Sequence, residues 1–230
     1  MLFSQGVRVI DVLPNGDLLV GAGDGAIAKI SIQNMLIKCA TQVLGAISSM
    51  SFTADHTHFF CGTEQCNIYW VDSSTLQPEL RNTCHYDKIN DVVFPYGYSD
   101  VFATCSKNDI RIWNAKNRHE ILRIQVPGVE CYCVSFMRDG KSIVSGWSDG
   151  KIRSFYPQSG KIMFVINDAH VHGVTSISAT SDCSRIVSGG MEGEVRIWQL
   201  GRQSQKMIAS MKEHRNRVWS IQVPNYLTSS

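Results

Sequence analysis

The chain has 230 residues, of which 43% are hydrophobic and 18% charged, an ordinary globular composition that excludes a largely disordered protein. Lys and Arg number 22 against 20 Asp and Glu, a formal net charge of +2, so no overall basic field points to nucleic acid or to a membrane surface. No apolar run reaches the roughly 18 residues of a membrane span, and "MLFSQGVRVIDVL" has no basic residue ahead of its apolar part, which Arg8 and Asp11 interrupt, unlike a secretory leader.

Read in chain order, the first strand is expected at Val7, "VRVIDV". Asn15-Gly16 then leads into "DLLV", and Asp24-Gly25 into the alternating "IAKISI". These dipeptides tolerate the positive φ that a two-residue hairpin needs. "NMLIKC" from Asn34 is the one stretch that suggests a helix; elsewhere β-branched residues and Pro and Gly punctuation leave helices little room. Strand-like runs then recur as "ISSMSF" from Ile47, "INDVVF" from Ile89, "CYCVSF" from Cys131 and "VTSISA" from Val174. Asp139-Gly140 and Asp149-Gly150 supply further hairpin turns.

A second series runs through the same stretch. "GAGDGAIAKI", "GTEQCNIYWV", "ATCSKNDIRIW", "SGWSDGKIRSF" and "SGGMEGEVRIW" close on Ile30, Val71, Trp113, Phe155 and Trp198, in steps of 41, 42, 42 and 43 residues. A period near 40 residues of this kind signals a repeat architecture. Each unit reads as an antiparallel meander of four strands. A sheet of that size cannot bury both its faces alone, so the copies must stack face to face. The expected fold is therefore all-β, a propeller of five complete four-stranded blades, with "HRNRVWSIQVPN" from about His214 opening a sixth. The repeat domain is expected over 7–223, between tails at 1–6 and 224–230. Five units and a start suggest an incomplete ring, an open arc with an unpaired strand edge at each end.

Candidate chemistry is sparse. Gly21 to Ala26 matches a dinucleotide-binding pattern, but such a site needs a following helix, and a strand follows instead. Cys61, Cys105, Cys131 and Cys133 lie within apolar runs and read as buried thiols suited to a reducing cytoplasm, not as a disulfide framework or zinc cluster. His170, His172 and Asp168 lack a nucleophile in an elbow context, so no catalytic residue, cofactor, metal or small-molecule substrate is expected. Between Arg202 and Arg217 the positions Arg202, Lys206, Lys212, Arg215 and Arg217 oppose only Glu213. This basic stretch is the candidate partner-facing loop, with a solvated connection as the plain alternative.

The units resemble WD40 repeats. In that family a blade carries a His before its first strand, a Ser or Thr on its second, an Asp in the next turn and a Trp ending its third. The resemblance implies that these side chains form a buried hydrogen-bonded network. The matching positions are His170, Ser188, Glu192 and Trp198 in the fifth unit, and His85, Thr104 and Trp113 in the third. The sixth begins with His214, and the fourth keeps Ser145 and Asp149 but has Phe155 and no His. No unit ends in Trp-Asp, Glu192 replaces the turn Asp, and the third unit has Lys107 near that place in a turn one residue shorter. The phrases "FATCSKNDIRIW", "FMRDGKSIVSGWSDGKIR" and "SDCSRIVSGGMEGEVRIWQ" are similar to the cilia- and flagella-associated protein 52 family over most of the chain. That resemblance implies a non-catalytic scaffold of the ciliary axoneme that lies inside doublet microtubules. Its partners would be tubulin and other axonemal proteins, with no nucleic acid or membrane. A generic adaptor of a soluble cytoplasmic complex is the alternative.

Overall fold

The computed structural model describes residues 3–82, 87–117, 119–202 and 204–223; among these are nineteen strands and no helix. The chain forms two compact units, the first made of Met1–Lys107 with Arg111–Ile121, the second of Asn108–Ile110 with Leu122–Ser230.

In the first unit, β1 (Val7–Val12), β2 (Leu18–Ala22), β3 (Ala26–Ile30) and β4 (Ile37–Gln42) form an antiparallel sheet in sequence order, and β5 (Ile47–Phe52), β6 (His58–Thr63), β7 (Ile68–Asp72) and β8 (Pro78–Asn82) form the next. The "NMLIKC" stretch forms no helix: Asn34 lies in the turn before β4, and Ile37, Lys38 and Cys39 open that strand. β9 (Asp91–Val93), β10 (Val101–Cys105) and β11 (Lys107–Asn114) begin the third repeat. In the second unit, β13 (Ile143–Trp147), β14 (Ile152–Phe155) and β15 (Ile162–Ile166) belong to the fourth, and β16 (Val174–Ala179), β17 (Arg185–Gly190), β18 (Val195–Leu200) and β19 (Gln205–Met211) make the fifth.

One element departs from five separate sheets. β12 runs seventeen residues, Glu120–Phe136, serving as last strand of the third repeat over its beginning and first strand of the fourth over Cys131–Phe136. The hydrogen-bonded sheets are consequently three of four strands and one of seven. Pro127-Gly128, a turn dipeptide with Gly128 left-handed at φ 81°, lies between the two roles, yet the strand runs through it from one repeat into the next.

Two recurrent features set the geometry. The position opening the third strand of each repeat is left-handed: Gly25, Cys66, Asn108, Gly150 and Gly193, with φ between 63° and 86°. The other feature is sheet spacing. A Cβ on Gly21 would come within 2.7 Å of Ile47, on Gly62 within 2.8 Å of Ile89, on Gly146 within 2.6 Å of Val174 and on Gly189 within 2.6 Å of Val218. In each case a bare second strand receives the β-branched residue that opens the next repeat. The second strands are hydrophobic on both sides for this reason: on β6, Phe59 and Cys61 pack with Leu19, Ile27 and Ile47 of one layer, while Phe60 packs with Ile89, Phe102 and Trp113 of the other. The same stacking in the second unit joins Val144 and Ile152 to Val174, Ile186 and Trp198.

Polar side chains of neighbouring first strands complete the seams. Ser49 Oγ donates to Asp91 (2.8 Å) and accepts from the Val92 amide (3.0 Å), and Thr175 Oγ1 donates to the Val218 carbonyl (2.7 Å). Residues 218–223 thus lie beside β16 as β9 lies beside β5, with Val218 buried on Gly189 and its amide bonded to Gly190. Residues 3–6 form a turn, and Ser4 donates twice to the Asp24 carboxylate.

Candidate functional site

The polar residues singled out in the sequence fall into three networks. In the fifth repeat the Trp198 indole donates to Ser188 Oγ (2.9 Å), Ser188 lies 2.9 Å from His170 Nε2, and His170 Nδ1 lies 2.6 Å from the Glu192 carboxylate. Ser188 has one proton to give and Trp198 can only donate. A neutral imidazole therefore gives each link one donor and one acceptor: Trp198 to Ser188, Ser188 to His170 Nε2, and His170 Nδ1–H to Glu192 Oε1. Burial lowers the His170 pKa, partly opposed by Glu192, in agreement with that neutral ring. Burial would raise Glu192, but backbone amides and His170 outweigh it and hold the carboxyl below its ordinary value. Both ring nitrogens are engaged and the residue is 2% exposed, so His170 has no free atom to serve as an acid or base toward a substrate.

In the third repeat the Trp113 indole donates to Thr104 Oγ1 at 2.8 Å, with both residues buried. His85 lies outside the described residues. In the fourth repeat, Phe155 offers nothing to Ser145, and Trp147, two residues further along the same strand, donates to Ser145 Oγ at 2.8 Å instead. Ser145 passes its own proton to the Arg153 carbonyl (3.0 Å). Asp149 holds the Arg153 guanidinium through two contacts of 2.9 and 2.6 Å, and that guanidinium lies 5.3 Å from the centre of the Trp147 ring. The alternation of strand residues was the available signal for Trp147, since positions i and i+2 share a face. The first two repeats place Val20 and Cys61 where the others have Ser or Thr, both buried and needing no partner; burial pushes the Cys61 thiol pKa up. Where the His would stand, the second repeat has Val43, yet the backbone bond is kept: Val43 donates to Gly25 as His170 donates to Gly150, each at 3.0 Å. His214 is exposed, its carbonyl against Gly193, and its ring joins no network among the described residues.

Residues 125–155 and 160–199 match the family model "WD domain, G-beta repeat". These two stretches carry the Ser145 and Ser188 networks. Cilia- and flagella-associated protein 52 of Bos taurus is 46% identical over 221 residues, covering 96% of this chain and 36% of that protein. Its counterpart from Chlamydomonas reinhardtii is 50% identical over 222 residues, 95% and 36%. The chain belongs to the WD40-repeat family. It spans about a third of the length of these relatives. A more distant WD40 likeness, to WD repeat-containing protein 90 of Mus musculus, is 28% over 160 residues, 66% of this chain and 8% of that protein.

The basic stretch falls on the outermost strand of the fifth WD40 blade and the connection after it. Lys206 is within β19 and Lys212 follows it, while Arg202 precedes it and Arg215 lies in the connection; all four are exposed. Arg217 is set apart from them, its guanidinium 4.4 Å from the Trp219 ring centre and 5.5 Å from that of Tyr132. The dinucleotide-like glycines occupy β2 and the turn into β3, with no helix to aim amides at a phosphate. Among the described residues, no three His, Cys, Asp or Glu side chains are grouped so as to hold a metal ion.

Proposed function

We propose that this chain is part of a non-catalytic protein-interaction scaffold of motile cilia and flagella, bound within axonemal doublet microtubules and stabilising them. The likeness to cilia- and flagella-associated protein 52 from a mammal and from Chlamydomonas reinhardtii, over nearly the whole chain, carries this reading. Within each unit, stacked sheets locked by side-chain networks supply a firm support whose exposed strands and connections face partners, and the paired ring nitrogens of His170 support a structural rather than catalytic role. Tubulin is the first proposed partner, with other axonemal proteins beside it; Arg202, Lys206, Lys212, Arg215 and Arg217 are the residues proposed to meet an acidic surface.

Extraction of axonemes tests the reading. The protein should stay with doublets through detergent and high salt and be released only when the doublets themselves are disrupted. Release in the first detergent wash would replace this reading with a soluble cytoplasmic adaptor.

A further inference from the structure

We propose that β19 is an open sheet edge that takes up an extended acidic segment of a partner protein as an added strand. The inference rests on the scaffold reading and specifies the chemistry and the mode of one contact. β19 is last in the order β16-β17-β18-β19, so one side of its backbone has no neighbouring strand in that sheet. Such edges are usually blunted against self-pairing by shortness, proline or charged side chains, lysine above all, and an unpaired lysine that repels a second copy still accepts an acidic partner. β8 has five residues, opens on Pro78 and carries the Arg81–Glu79 pair at 2.7 Å; on β4 the one cation, Lys38, is held by Asp17 at 2.7 Å. β19 is seven residues long and leaves Met207, Ile208 and Met211 about half exposed, at 51%, 49% and 43%.

Its charge selects the occupant. The second compact unit carries thirteen Lys and Arg against nine Asp and Glu, a formal +4, and residues 202–217 alone carry five against one, the same +4. The imbalance of the unit is therefore gathered in β19 and the connections that flank it, with Arg217 turned onto Tyr132 and Trp219. Arg202, Lys206 and Arg215 form no ion pair among the described residues. Lys212 reaches Glu194 only at 3.8 Å, and that carboxylate is already held by Arg196 at 2.8 Å and by Ser210. A second copy of the same strand would bring lysine toward lysine. An extended segment carrying carboxylates and apolar residues on both its faces would instead pair its backbone with β19, cover Met207 on one face and Met211 on the other, and neutralise the cations, since the bulge at Ile208 divides these side chains between the two faces.

The test uses the 230-residue chain and a synthetic peptide of Glu and Val with both residue types on each face, beside the same peptide N-methylated at every second amide. The unmethylated peptide should bind, weaken steeply as salt is raised, and protect the β19 amides from hydrogen exchange. The methylated one, with the same charges and side chains, should lose most of that affinity. Lys206→Glu with Lys212→Glu should weaken binding by about tenfold or more, because charges are reversed rather than removed. Equal binding of the two peptides, absence of β19 protection, absence of binding, or self-association of the chain through β19 would each overturn the proposal. None of these outcomes touches the ciliary reading, which axoneme extraction tests separately.

Discussion

At the scale of single residues, Ser188 is the pivot of the fifth blade because one hydroxyl serves two buried neighbours, the Trp198 indole and His170. Leaving a buried donor or acceptor without its partner costs about 1–3 kcal/mol. Ser188→Ala, which leaves both without their partner, should therefore cost about 1–3 kcal/mol or more, read as a lower urea denaturation midpoint. His170 sets a pH dependence of definite sign. Its folded pKa lies below the ordinary value of 6.5, so the unfolded chain takes up the proton first. The contribution is fully present above about pH 6.5 and is lost as pH falls through that value toward the lower folded one. Denaturation midpoints should drop from about pH 7.5 to about 5.5 in the unaltered chain, and the drop should be shallower in His170→Asn, which starts from a lower stability.

Among elements, the seams between blades depend on absent side chains. The "SG" of "VSGW" and "VSGG" divides the labour: Ser145 and Ser188 accept an indole proton, while Gly146 and Gly189 admit Val174 and Val218. Gly62→Ala would press a methyl against Ile89 at 2.8 Å and should cost about 1–3 kcal/mol, read as a lower melting temperature. The turn positions predict the opposite change. Cys66 and Cys183 are held at φ of 63° and 58°, a region that penalises any Cβ. Cys66→Gly and Cys183→Gly should each gain up to about 1 kcal/mol, the relief of strain exceeding the extra chain entropy of glycine; a lowered melting temperature in both would refute this account of the turns.

Across the whole molecule, each compact unit repeats one packing rule, in which every sheet is apolar on two sides and leans on the next. Residues 218–223 follow the rule without a complete sheet of their own, since Val218 fills the place over Gly189 that Val174 fills over Gly146. Val218→Asp would bury an unpaired carboxylate on that seam and should destabilise the second unit by several kcal/mol, visible as earlier loss of hydrogen-exchange protection in β16–β18 than in β5–β7. β1 leaves Val7, Ile10 and Val12 about half exposed, on a strand whose counterpart β5 buries Ile47 and Met50 and half-buries Phe52.

Period, strand limits, turn positions and the two-sided apolar character of the second strands were legible in the amino-acid sequence, because alternation and turn chemistry act over two to four neighbouring residues. The pairings were legible only in part. Ser188 and Trp198 could be matched through the repeat, but Trp147 standing in for the missing third-strand Trp, Val43 replacing a His while its backbone bond persists, and β12 serving two repeats could not. Hydrogen bonds form between whichever groups the packed strands and turns of a folded blade bring within about 3 Å, a matter of side-chain direction and register that the one-dimensional pattern does not contain. A charge run, likewise, becomes an open strand edge only once its position in the sheet is known.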